Sequence, residues 1–296
     1  MARIGVNYNL LIMNKNLAQN RESHSNAIIP ISTGRRINNL GDDPTQLAEY
    51  FRLQGELSRI DQYTFNINTA RTRVNITDSV LGELYDVSNE LYELGIQGNN
   101  GSLTAGDIAN ISNRLDDLNA TALDLANTRM GNNYIFAGFK STTQPFDGTP
   151  GTFNGDSNDI DIKVTATRSI KVSVDGDALF TGGGGNTDIF QTISDLKTAI
   201  QAQDSAAIGT ALTNLQAIQA QISESRGSMG SALNDLTSSE SFLNSLELNN
   251  SERLSVISEI DIAEASTELS YREFAMKAAF AVANRVMEIS LQSFFT

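Results

Sequence analysis

The chain has 296 residues, about two domains' worth, and its 40% hydrophobic and 19% charged content suits a packed core rather than disorder. A net charge of −14 argues against a nucleic-acid partner. No cysteine is present and His24 is the single histidine, which closes off disulfides, thiolate nucleophiles, iron–sulfur clusters and multi-histidine metal sites, and leaves a Ser-His-Asp triad one candidate base.

From the N-terminus, Asn7, Asn9 and Asn14 interrupt the apolar residues and no cleavage site follows, so the start does not read as a signal peptide. No run approaches the roughly 20 apolar residues that span a bilayer. Val6, Leu10, Met13, Leu17 and, after a gap at His24, Ile28 make one helical stripe, which Leu11, Ile12 and Ala18 widen. Gly34 and Gly41 bracket a linker. Asp42-Asp43-Pro44 then offers capping carboxylates with proline at the first helical position, so a helix is expected to begin near Pro44.

Apolar residues three or four apart follow at Leu57, Ile60, Ile67, Val74, Leu81, Leu84, Leu91 and Leu94, with Thr64 and Arg71 as interruptions. An unbroken helix from Leu47 to Gln97 would reach roughly 75 Å, which predicts an elongated rod with a coiled-coil seam. Gly95, Gly98 and Gly101 are expected to end it, and Thr104 to Asp107 to start the next helix, striped by Ile108, Ile111, Leu115, Leu118, Ala122 and Leu125.

Ten of the 22 glycines fall between Gly131 and Thr187. This insert carries two strictly alternating runs, 160–164 and 170–174, which read as half-buried strands, and Tyr134-Ile135-Phe136-Ala137 reads as a third. The tetraglycine Gly182 to Gly185 reads as a flexible return. Helical spacing resumes with Ile189, Ile193, Leu196 and Ile200, again with Ile208, Leu212, Leu215 and Ile222, and again with Met229, Leu233, Leu236, Leu243 and Leu246. The fold class is therefore mainly α with a small β-rich insert, an antiparallel helical bundle built from both chain ends.

At the C-terminus, Leu269, Met276, Phe280, Ala283, Val286 and Met287 form a stripe widened by Phe274, Ala278, Ala279 and Ala281. Helices apolar around so much of their circumference need cover on several sides, and two terminal helices cover only one side of each other. The ends are therefore expected to fray in the monomer and to fold on assembly with further copies. Residues 1–41 carry a net +4 and residues from 261 onward a net −2, a weak incentive to pair.

Enzymatic chemistry finds little purchase. Asp42-Asp43 reads as a helix cap. Asp156, Asp159 and Asp161 sit in a loop without the glycine and terminal glutamate of an EF-hand, so a surface turn is expected and no metal or cofactor site is assigned. His24 reads as a solvated or interface histidine.

Three blocks carry a family resemblance. Thr33-Gly34-Arg35-Arg36-Ile37-Asn38-Asn39-Leu40-Gly41-Asp42-Asp43-Pro44 resembles the signature after the first helix of bacterial flagellins. The tail from Asp261 to Leu291 resembles their C-terminal helix. Arg226, Gly230, Asn234 and Leu236 match an Arg-x-x-x-Gly-x-x-x-Asn-x-Leu helix motif of the same superfamily. The block through Tyr134, Ile135, Phe136, Ala137 and Gly138, with Pro44 where flagellins usually carry alanine, looks like the hook–filament junction branch.

The resemblance implies an extracellular structural protein, exported unfolded and without leader cleavage, that forms a ring between hook and filament. Leu10, Met13, Leu17, Ile28, Leu269, Met276, Phe280, Ala283 and Val286 would form its assembly interface. Its partners would be further copies, hook-associated protein 1 on the hook side, flagellin on the filament side and an export chaperone. On this reading residues 1–42 with 257–296 are a terminal assembly domain, 43–136 with 188–256 a helical rod, and 137–187 a small outer β-rich domain. The rival readings are a main filament flagellin and a non-flagellar secreted coiled-coil adhesin or effector.

Overall fold

The computed structural model describes the backbone of residues 2–39, 41–147 and 152–295, and their side chains except for 2–7, 9, 10 and 289–295. Seven α-helices account for most of these residues: α1 (Ala2–Thr33), α2 (Pro44–Gly98), α3 (Ala105–Ala126), α4 (Gly176–Phe180), α5 (Ile189–Ala202), α6 (Ser205–Ser258) and α7 (Ile262–Phe295). Four short strands, β1 (Arg129–Met130), β2 (Asn133–Tyr134), β3 (Asp161–Lys163) and β4 (Ser169–Lys171), make two antiparallel pairs, β1 with β2 and β3 with β4. The chain is mainly helical with a small β insert. It divides into two compact units, residues 60–245 and residues 1–59 with 246–296.

In the unit of residues 60–245, the heptad-like spacing puts Ile67, Val74, Leu81, Leu84 and Leu91 of α2 in a dry core with Leu115 of α3, Leu196 of α5 and Leu215 and Ile222 of α6. Cross-links between neighbouring helices set the register. Arg71 and Glu240 meet at 2.5 Å and Arg226 and Asp78 at 3.0 Å, which runs α6 antiparallel to α2. Lys197 meets Asp116 at 2.7 Å between α5 and α3. Arg71, an interruption in the sequence stripe, is thus a helix-to-helix tie. Helix α2 continues through Gly95 and ends at Gly98. A Cβ at these two positions would stand 2.6 Å from Leu212 Cδ2 and 2.4 Å from Ile200 Cδ1. Close packing, in addition to termination, is what these glycines allow. Thr104 caps α3 in a reciprocal box with Asp107, as the sequence predicts.

The insert departs from the expected strands. Residues 161–163 and 169–171 pair as a short hairpin with Ile162 opposite Ile170, so the alternation holds over less length than the sequence suggests. Of the expected third strand only Tyr134 belongs to a strand. Tyr134, Ile135, Phe136 and Ala137 are all buried, whereas a half-buried strand would expose every second one. The reason is an aromatic core: Phe136 and Phe146 each approach Phe180 with ring centroids 5.1 Å apart, and Phe153 and Phe190 flank Phe146. The tetraglycine is not a featureless return but a 3-10 turn in which Gly182, Gly184 and Gly185 adopt positive φ, closed by a bridge between Thr181 and Asp188.

In the other unit, Asp43 caps α2 at its Oδ1 by accepting from the Gln46 amide at 3.1 Å, and Pro44 is the first helical residue. Glu49 meets Arg253 at 2.6 Å, and Asn250 donates to Glu56 at 3.2 Å. Leu53, outside the sequence stripe, is fully buried, whereas Leu57 is only half-buried.

Candidate assembly interface

Helix α1 lies along α7. The two run antiparallel, since Arg35 bridges Glu259 at one end and the Arg21 guanidinium stands 5.7 Å over the Phe280 ring further along. On α1 half-buried residues recur at Met13, Leu17, Asn20, His24, Ala27 and Ile31, and on α7 at Leu269, Glu273, Met276, Phe280 and Val286, with Ala283 buried among them. These are three- and four-residue steps, so one narrow seam of each helix faces its mate.

That seam includes most of the residues that the sequence proposes for assembly. Met13, Leu17, Leu269, Met276, Phe280, Ala283 and Val286 are covered to some degree within this unit, while Ile28 is exposed. The side chain of Leu10 lies outside the described residues. Of the widening residues, Leu11, Ile12, Ala18, Phe274, Ala278 and Ala281 are exposed and Ala279 is half-buried; Met287 of the stripe is exposed as well, as are Tyr8, Tyr271 and Val282. Among the described side chains of both helices only Ala283, 2% exposed, is buried. Over their described side chains, helices of 32 and 34 residues therefore meet without forming a core. The apolar stripes read from the sequence fall on α1 and α7. The sequence alone did not separate the seam from the outer face, although the two-residue offset between Leu269 and Tyr271 puts them on opposite sides of α7.

The loop between α1 and α2 is a built joint. Gly34 sits at φ +69° after the last turn of α1. Arg36 donates its amide to the Ser258 carbonyl at 2.8 Å and its Nε to Ile257 at 3.1 Å. Asp42 does not cap α2 but turns back, accepting from the amides of Asn38 at 3.0 Å and Asn39 at 2.8 Å, and those bonds hold its carboxyl below the usual carboxylate range. Leu40 lies outside the described residues.

The remaining motif residues have defined places. Gly138 takes φ +62°, and Asp156 seals its turn by accepting from the Phe139 amide at 2.9 Å and the Asn158 amide at 3.1 Å. These bonds, with Phe139 foremost, lower the Asp156 carboxyl from its ordinary value. Asp159 meets Lys171 at 2.6 Å. Of the aspartates considered for calcium, Asp156 thus staples the loop, Asp159 pairs with Lys171 and Asp161 opens β3; among the described residues no three metal-ligating side chains stand together. Gly230 and Asn234 lie on the exposed face of α6. The residue that sequence reasoning missed is Arg73, 6% exposed, whose Nη2 donates to the Ile135 carbonyl at 2.8 Å while Nε has no partner.

Comparison with known proteins agrees with this architecture. The family described as bacterial flagellin N-terminal helical region matches residues 4–141. Hook-associated protein 3 of Escherichia coli is 27% identical over 284 residues, covering 88% of this chain and 89% of its own. A flagellin from Clostridium tyrobutyricum is 25% identical but covers 62% of this chain and 47% of its own length. The solved structure of hook-associated protein 3 from Legionella pneumophila superposes with a TM-score of 0.62 at 16% identity, covering 69% of this chain and 98% of that one, and so shares the fold. The N-terminal part of the chain, residues 4–141, is thus similar to the flagellin helical region. Over nearly its whole length the chain is similar to hook-associated protein 3, of Escherichia coli and of Salmonella typhimurium.

Proposed function

We propose that this chain is a structural subunit of the bacterial flagellum that joins hook to filament by polymerising through α1 and α7. The observation that carries the reading is the coreless terminal pair: two long helices with, among their described side chains, one buried, and with aromatic and aliphatic residues left exposed on their outer faces. Burying apolar surface is worth about 25 cal/mol per Å², whereas ordering the backbone costs about 1–2 kcal/mol per residue, so a helix pair without a core needs neighbours to repay its ordering.

On this reading residues 1–42 and 257–296 act together as the assembly segment, and the insert faces outward. The subunit works outside the cell after export. Its neighbours are further copies, hook-associated protein 1 towards the hook and flagellin towards the filament, with a chaperone before export. It performs no catalysis. Near full-length likeness to hook-associated protein 3 favours the junction over a position along the filament.

Imaging labelled protein on intact flagella tests the assignment: a single band beside the hook is expected, and label along the whole filament overturns the junction role. Deleting residues 1–30 is expected to abolish incorporation while leaving the thermal transition of residues 60–245 in place. Retained incorporation of the truncated chain overturns the role given to α1.

A further inference from the structure

Beside the joint that connects α1, α6 and α7, a groove of about 670 Å³ opens in the unit formed by the chain ends. Pro30 and Ala263 contribute to its apolar lining. Its charged groups are Asp261, Glu264 and Glu268 against the one guanidinium of Arg36. Arg36 Nε is engaged with the Ile257 carbonyl, Asp261 accepts from the Ala263 and Glu264 amides, and Glu268 meets Arg272 at 2.6 Å. Glu264 has no ion-pair partner among the described residues. The groove is thus apolar with an acidic rim and one carboxylate to spare.

The same chain carries the complementary surface. On α1, Tyr8, Leu11 and Lys15 follow at i, i+3 and i+7, which places them on one face, and all three are exposed. The first 21 residues hold Arg3, Lys15 and Arg21 and no acidic residue. One copy cannot satisfy itself: Lys15 and Pro30 lie on the same helix, separated by roughly 22 Å of rise.

We propose that the Tyr8–Leu11–Lys15 face of one copy docks into the Pro30–Ala263–Glu264 groove of a second copy. Leu11 covers the apolar floor and the Lys15 ammonium meets Glu264. The contact joins unlike surfaces, so it is heterologous and propagates from copy to copy until the rotation closes a ring or continues as a helix. This inference rests on the polymerising role proposed above and adds to it which surfaces meet.

The absence of native cysteine makes a cross-linking test clean. Two full-length copies, Leu11→Cys and Ala263→Cys, are expressed together and oxidised in assembled flagella. A disulfide-linked dimer is expected at least tenfold above either copy alone. Adding Lys15→Glu to the first copy is expected to lower the yield about tenfold, and Glu264→Lys on the second to restore it. Tyr8→Cys with Thr267→Cys serves as a second pair should the first not incorporate. No cross-link in flagella that contain both copies overturns the docking, as does a cross-link from position 263 to a different axial protein. In either case wild-type incorporation at the hook boundary still stands, so loss of the groove contact is distinguishable from loss of the junction role.

Discussion

Arg73 on α2 donates through Nη2 to the carbonyl of Ile135, 62 residues away in the chain, across 2.8 Å of a site where both residues are buried. Burial pushes the Arg73 guanidinium below its ordinary pKa, and its Nε has no partner, so the bond is made at the cost of dehydrating a cation. The contact ties the Tyr134–Gly138 block to the helical core. Arg73→Ala leaves a buried carbonyl unpaired and opens a cavity, each of which costs about 1–3 kcal/mol. The expected result is a melting temperature lower by roughly 5–10 °C for the unit of residues 60–245, read by circular dichroism. An unchanged melting temperature would mean that the bond contributes nothing to docking the insert.

Gly138 is the second fixed point of that block. Its φ of +62° is costly for an L side chain, and a Cβ there would stand 2.1 Å from the Asp156 carbonyl oxygen. Because the obstacle is backbone, no rotamer change relieves it. Gly138→Ala is expected to destabilise by about 2 kcal/mol or more, and the Phe139 amide resonance should lose the downfield position that a carboxylate acceptor imposes. Gly131, also at positive φ but with open space around it, is the control: alanine there should cost only the left-handed penalty, about 1 kcal/mol.

What could be read from the residues follows from how local each feature is. The helix starts at Pro44 and Ala105 were legible because a cap is fixed by residues three or four apart, Asp43 with Gln46 and Thr104 with Asp107. The seam of α2 was legible because its period is regular. The insert was harder: its core is built from Phe136, Phe146, Phe153, Phe180 and Phe190, residues scattered over more than 50 positions with no period to link them. Arg73 was invisible for a related reason. A charged residue on a striped helix reads as a solvated face until the element that buries it is known. At the terminal pair the composition announced excess apolar surface, but the seam residue Leu269 and the outer residue Tyr271 are told apart only once α1 is in place.

Two exposed carboxylates make the loops acid-sensitive. Asp42 holds the Asn38 and Asn39 amides and Asp156 holds the Phe139 amide, and in each the carboxyl titrates below the ordinary value of 3.8. A carboxylate whose folded pKa is depressed adds stability that is fully present above the unfolded pKa and disappears as pH falls through the folded one. Both loops should therefore be indifferent to pH between 5 and 8 and loosen below about pH 4. Amide chemical shifts of Asn39 and Phe139 followed from pH 6 to 2 check this. Asp42→Asn and Asp156→Asn should each flatten the titration of their own loop and leave the other untouched, and a midpoint above 3.8 would contradict the bonds that hold them.

The most consequential expectation concerns the contrast between the two units. Leu81, Leu84, Leu91, Leu115, Leu196 and Leu215 are fully buried in the unit of residues 60–245, whereas α1 and α7 bury Ala283 alone among their described side chains. Local opening free energy follows buried apolar contact, so the two regions should differ by most of the global stability. In dilute monomer, hydrogen exchange of α1 and α7 amides is expected within seconds, and light proteolysis should trim the chain to a resistant piece near residues 43–256. The amides around Leu84 and Leu215 should exchange at least a thousandfold more slowly. On assembly the outer residues Tyr271, Phe274 and Val282 gain cover, and exchange in α7 should slow by two orders of magnitude or more while the core amides change little. Phe274→Ser removes apolar surface that is 71% exposed in the single chain, so it should leave the monomer's melting nearly unchanged and weaken incorporation into flagella. Equal protection of the ends and the core in the monomer would show that α1 and α7 are stable without neighbours, and the polymerising role given to them would fall.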